Sequence, residues 1–153
     1  MQRRLILGIA LLFIASEQVP AYDLSQYQWH HRLLFLIAPR ADDPDLAAQQ
    51  RDLALRVDAL LDRDIRLFRL LPDQGFLGKA ALSSEAVRAL RRQLDVTDAD
   101  RLVILIGKDG GIKRRAELDT DLREILLQID AMPMRRDEMR AKKEAGIPVT
   151  PPE

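Results

Sequence analysis

The sequence predicts an α/β domain built on a central mixed sheet, in the order β-α-β-α-β-β-α, with helices flanking the sheet. Three observations carry that expectation. Leu33 to Ala38 is continuously apolar, as a strand covered on both faces must be. Segments of helical period separate it from further short apolar runs. Leu102 to Ile106 leads through Lys108-Asp109-Gly110-Gly111 into a second, more polar extended run, the pattern of a β-hairpin.

Taken in order, Tyr22 to His31 is a polar, aromatic-containing lead-in, and the first strand stops at Pro39. Asp43-Pro44-Asp45 offers an N-cap, a proline at the first helical position and an early acid, so a helix is expected from there to about Asp62. Its inward positions would be Leu46, Leu53, Val57, Leu60 and Leu61, with Gln49, Gln50, Arg51 and Asp52 mostly elsewhere. Ile65 to Leu71 is the second strand, closed by the turn residues Pro72-Asp73-Gln74-Gly75. Ser83 or Ser84 caps a second helix with Val87, Leu90 and Leu94 on one stripe. The hairpin follows, its glycines suited to a turn that requires positive φ, with Ile112 to Leu118 as the returning strand. Thr120 is expected to cap a third helix with Leu122, Ile125, Leu126 and Ile129 inward, stopping or kinking at Pro133. Residues 134 to 142 extend it, and 143 to 153, with three prolines after Gly146, read as a disordered tail.

The N-terminus carries a different kind of signal. Met1-Gln2-Arg3-Arg4 is a short positive segment, Leu5 to Ser16 is uncharged and apolar, and Val19-Pro20-Ala21 ends in a small residue. The apolar run is shorter than the roughly 20 residues a membrane span needs. A cleavable signal peptide over residues 1–21 is the expectation, with an uncleaved anchor as the alternative, and the mature domain at 22–142 is expected in the periplasm or secreted. No cysteine is present, so lipid attachment to a cysteine is excluded and stability must come from packing. The chain has 24 basic and 24 acidic residues. That balance gives no electrostatic steering towards nucleic acid.

The order of elements is that of the thioredoxin-like fold. Enzymes of that fold place a nucleophilic thiolate just after the first central strand, where a helix N-terminus lowers the thiol pKa. Here the place reads Ala38-Pro39-Arg40-Ala41-Asp42-Asp43-Pro44, and the stretch Val96 to Arg101 before the hairpin contains no proline to supply the fold's usual cis peptide. Thiol-disulfide exchange and cysteine-based peroxide reduction are therefore excluded for this chain acting alone.

Three segments resemble a known family. They are Trp29 to Pro39, Leu105 to Lys113, and Ile129-Asp130-Ala131-Met132-Pro133-Met134-Arg135-Arg136-Asp137-Glu138-Met139. Over about residues 25–140 the chain is similar to the bacterial domain of unknown function 4174, itself related to modules in animal extracellular-matrix and sushi-repeat proteins. The resemblance implies a thioredoxin-like fold, export and a role in binding or adhesion. It carries over no catalytic residue.

The candidate binding residues are Arg40, Asp43, Lys108, Asp109, Met134, Arg135 and Arg136; no catalytic residue, metal ligand set or cofactor is assigned. Met132, Met134 and Met139 are soft donors that suit Cu(I), with His30-His31 as a distant supplement, but thioethers more often fill gaps in a core. Arg135 at this spacing would pair with Asp130 or Glu138, while Arg136 and Arg140 read as a solvated face. Arg40 with Asp42 and Asp43 lies where the fold does chemistry and would serve a cysteine-independent enzyme, although an aspartate there also serves as a cap. The expectation is a non-catalytic binding or interaction module whose partner is an unidentified protein or envelope ligand, with no nucleic acid and no membrane segment after cleavage.

Overall fold

The computed structural model describes residues 22–152, so the expected signal peptide lies outside the described residues. Six strands form one mixed sheet, in the spatial order 80–81, 75–77, 65–70, 32–37, 102–106 and 112–117. β1 (Arg32–Ile37) lies between β2 (Ile65–Leu70), which is parallel to it, and β5 (Leu102–Ile106), which is antiparallel. All six β1 residues are buried, which explains why this strand shows no alternation. β6 (Ile112–Glu117) pairs with β5 as the expected hairpin and forms one edge; Gly110 supplies the positive φ of its turn.

Two apolar layers sandwich the sheet. On one face Leu34, Leu36, Val103 and Leu105 pack beneath α1 (Pro44–Leu55) and α4 (Leu122–Asp130), through Leu46, Leu53, Ile125, Leu126 and Ile129. On the other, Phe35, Phe68 and Ile104 meet Leu90 of α3 (Ser84–Gln93) and Leu94 at its C-cap, and the Phe35 and Phe68 rings stack at 4.6 Å between centroids. Ser83 caps α3 by accepting the Ala86 N–H.

Four features depart from the sequence expectation. The helix expected to reach Asp62 breaks at Arg56 into α1 and α2 (Val57–Asp62). The break turns α2 so that the small Ala59 faces inward, leaving Val57 and Leu61 exposed. Gln49, expected outside, is buried, where its amide donates to the backbone carbonyls of Leu118 at 2.8 Å and Thr120. A short hairpin, β3 (Gly75–Leu77) and β4 (Ala80–Ala81), follows the Pro72 turn; Gly75 is needed there because a Cβ would lie 2.7 Å from Val87 Cγ2. Asp121, not Thr120, caps α4 by accepting the Arg123 N–H. As expected, α4 stops before Pro133 and a helix follows: Pro133 opens α5 (Pro133–Glu144) at the first helical position, where a missing N–H costs nothing.

The segment beyond α5 is also held on the domain rather than free of it. The Thr150 N–H donates to the Asp62 carboxylate at 3.3 Å, and the Thr150 carbonyl accepts from Arg63 at 3.2 Å. No helix among the described residues is long and apolar enough to cross a membrane.

Candidate functional site

The candidate residues gather at the two ends of the sheet. At one, the carboxyl ends of β1 and β2 meet the start of β5, which brings Pro39 to Pro44 beside Arg101. At the other, Arg32 opens β1, Asp64 precedes β2, and Gly107-Lys108 follows β5. The first is the end where thioredoxin-like enzymes hold their thiolate. Here Asp43 occupies it as a helix cap: buried, it accepts the N–H groups of Asp45 and Leu46 and faces Arg101 Nη2 at 3.3 Å. Arg40 stays in solvent and pairs with Asp42 at 3.0 Å. All of Asp43's visible bonding supports the chain, and no cis peptide is present in the described residues.

Among the described residues, the second end gathers a connected set of buried ion pairs. Arg32, Arg63 and Arg135 are at most 1% exposed. Arg32 forks onto Glu138 with two bonds of 3.1 Å and donates to the Arg63 carbonyl at 2.9 Å. Arg63 forks onto Asp130 at 2.6 and 3.0 Å and donates to the Ala59 carbonyl. Arg135 shares Asp130 at 3.0 Å and reaches the Asp62 carboxylate, which Lys142 also contacts. Lys108 Nζ, nearly buried, lies 2.7 Å from Asp64 and 2.8 Å from Glu138. Planar guanidinium forks suit such burial because both donors meet both carboxylate oxygens.

This lattice sets the ionisation of its members. Burial alone would raise the Asp62 and Glu138 pKa values, but the bonds from Lys142 and Arg135 to the first, and from Arg32 and Lys108 to the second, hold both below the usual carboxylate range. For Arg135, burial works against the charge, yet Asp62 and Asp130 keep its pKa above the ordinary guanidinium value. Five cations, Arg32, Arg63, Lys108, Arg135 and Lys142, meet four carboxylates, Asp62, Asp64, Asp130 and Glu138.

Above the lattice lies a cavity of about 530 Å³, walled by Lys108, Lys113, Gln128, Met132, Pro133 and Met134, with Arg32 and Asp109 also reaching it. Met134 is half-exposed at its lip. Asp109 shapes the turn: its carboxylate takes the Lys113 ammonium at 2.6 Å and the Gly111 N–H at 3.1 Å, and these bonds hold its pKa down. Among the described residues, no three His, Asp or Glu side chains converge as a metal site. Met132 and Met134 share the cavity, whereas His31 lines a smaller space that also borders Gly107, Asp109 and Gly110.

The structure thus gathers Lys108, Asp109 and Met134 at one cavity and places Arg135 in its foundation. Arg136 is exposed on α5, and Arg40 and Asp43 lie at the other end of the sheet. Sequence reasoning named Asp130 and Glu138 only as partners of Arg135, which lies 3.0 Å from the first and 3.8 Å from the second, and it missed Arg32, Arg63, Asp62 and Lys142. Only the position of Arg32, directly before a continuous apolar strand, hinted at burial.

A scan against family models matches the Domain of unknown function (DUF4174) over residues 23–138. The chain belongs to the DUF4174 family. No curated protein matches its sequence. Among solved structures, this DUF4174 chain is similar to the reduced 2-Cys peroxiredoxin of Plasmodium vivax. That match has a TM-score of 0.57 and 18% identity over 74% of this chain and 84% of that one. It is also similar to the mitochondrial 2-Cys peroxiredoxin of Plasmodium falciparum, with a TM-score of 0.50 and 13% identity over 84% and 87% of the two chains. At such identities the likeness shows the fold, which is thioredoxin-like, in a DUF4174 chain without cysteine.

Proposed function

We propose that this DUF4174 chain is an exported, non-catalytic binding module whose ligand seat is the cavity between the Gly107–Lys113 turn and the α4–α5 junction. One observation carries the reading. The cavity joins an apolar lip, Met132 to Met134, to polar groups at Lys113 and Gln128, over a charge lattice with one cation in excess. Few polar groups in a mainly apolar recess is the composition of small-ligand sites. The lattice fixes the floor, because Arg32, Arg63 and Arg135 are each held by at least two partners. Export rests on the positive start and apolar run of residues 1–16.

An amphipathic anion is the appropriate probe. Anilinonaphthalene sulfonate is expected to bind at one saturable site with enhanced fluorescence, and Met134→Asp is expected to abolish that binding while leaving the circular dichroism melt in place. Binding that does not saturate, or that survives Met134→Asp, overturns the cavity reading. Export is tested separately by the N-terminal sequence of material recovered outside the cytoplasm, which is expected to begin at Tyr22.

A further inference from the structure

We infer that a recess between α1 and the turn joining β2 to β3 is a second binding site, one that takes a carboxylate carried on a short apolar stem. Arg69 carries the inference. Among the described residues, every other arginine that is buried or half-buried pairs with a carboxylate, from Arg32 with Glu138 to Arg135 with Asp62. Arg69 is half-buried and has neither a carboxylate nor a hydrogen-bond partner among them; its guanidinium lies 4.2 Å from the centre of the Phe76 ring instead. Withdrawing a cation from water without a counter-charge is costly. The ring face steadies the guanidinium and leaves the N–H edge of its fork free, and none of its nitrogens is sealed from solvent.

The surroundings select the occupant. Arg69 is next to last in β2, so the recess lies at the carboxyl ends of the parallel pair β1 and β2, where open α/β sheets admit ligands. Leu46 in the first turn of α1, Leu71 and the Phe76 ring wall it, while Gln50 and Gln74 add side-chain amides that no described residue engages. No carboxylate borders it. Its volume of about 160 Å³ is that of about five waters at about 30 Å³ each, which suits an acid of a few carbons. A planar carboxylate meets two N–H groups of the fork at once, and its stem replaces water against the leucines. A bare oxyanion such as phosphate gains nothing from those walls.

The test is a titration of the isotope-labelled chain followed by amide correlation spectra. Butyrate supplies the carboxylate as a free acid, and N-acetyl-alanyl-valine supplies it as a peptide end. Saturable shifts at Ala41, Leu71, Gln74 and Phe76 are expected, and the tighter of the two names the source. Butyramide keeps the shape of butyrate without its charge and is expected to bind at least about tenfold more weakly, the scale of a lost charge-assisted bond. Inorganic phosphate is expected to fall as far behind. Arg69→Met keeps a side chain over Phe76, strands no carboxylate and is expected to lose the shifts. Should that variant fail to fold, the comparison of butyrate with butyramide on the parent chain decides.

Four results overturn the inference. They are no saturable shift with either carboxylate, butyramide or phosphate binding as tightly as butyrate, Arg69→Met binding butyrate unchanged, and shifts centred on Lys108 and Met134 instead. Those two residues lie at the other end of the sheet, so this site and the cavity reading fail separately.

Discussion

Arg135, fully buried at the first turn of α5, reaches Asp62 at the end of α2, 73 residues earlier, and grips both its carboxylate and its backbone carbonyl, the latter at 2.7 Å. Removing one partner of a buried, hydrogen-bonded pair strands the other charge. Arg135→Met is therefore expected to lower stability by about 3–5 kcal/mol in urea titrations. Arg135→Lys is expected to recover only part of the loss, since a point charge cannot hold Asp130 and Asp62 together as the planar fork does.

The same lattice predicts a direction for acid sensitivity. The folded-state pKa values of Asp62 and Glu138 lie below their ordinary values of 3.8 and 4.5. Such groups stabilise the fold fully above the unfolded values, and the contribution fades as pH falls from there through the folded ones. Stability is expected to be flat with respect to these groups above about pH 5 and to fall steadily below it. Asp62→Asn, weaker at neutral pH, is expected to show a shallower acid limb when urea midpoints are compared across pH.

Trp29 is the only tryptophan, is 60% exposed, and sits at φ 67. Its N–H is drawn into that conformation by a 2.6 Å bond to the Lys108 carbonyl. Left-handed backbone costs a residue with a Cβ about 1–2 kcal/mol. Trp29→Gly keeps the bond and is expected to raise stability by about 1 kcal/mol, read by circular dichroism in urea. A gain in stability marks a side chain that the fold itself does not require.

Asp43 offers a clean separation of capping from chemistry. Asp43→Ala loses the side-chain acceptor for two backbone N–H groups and is expected to cost about 1–2 kcal/mol. Asn keeps an acceptor, so Asp43→Asn is expected to stay within a few tenths of a kcal/mol of the parent apart from its weakened contact with Arg101. Thermal melts of the two variants side by side check both.

The sheet was legible in the sequence because each of its long strands is written in local pattern. Leu33 to Ile37 and Leu102 to Ile106 are too apolar to lie anywhere but the centre, and Asp109-Gly110-Gly111 leaves room only for a tight turn. The break at Arg56 was not legible. Val57 and Leu61 continue the apolar stripe of Leu46 and Leu53, yet the structure exposes both, because tertiary placement of Ala59 and Arg63 overrides the helical period. The charge lattice was hidden for a related reason. Its members sit at the ends of separate elements, spaced up to 106 residues apart in the case of Arg32 and Glu138, and burial there is decided by forks that only the fold assembles. Arg135 alone announced its partner Asp130, since those two are close in sequence.

One carboxylate serves as the meeting point of α2, α5 and the segment around Thr150, taking Arg135, Lys142 and the Thr150 N–H together. Such a shared acceptor ties the three into a single cooperative unit of opening. In native-state hydrogen exchange their amides are expected to show a common opening free energy, so that loosening the terminal segment speeds deuterium uptake in α2 as well.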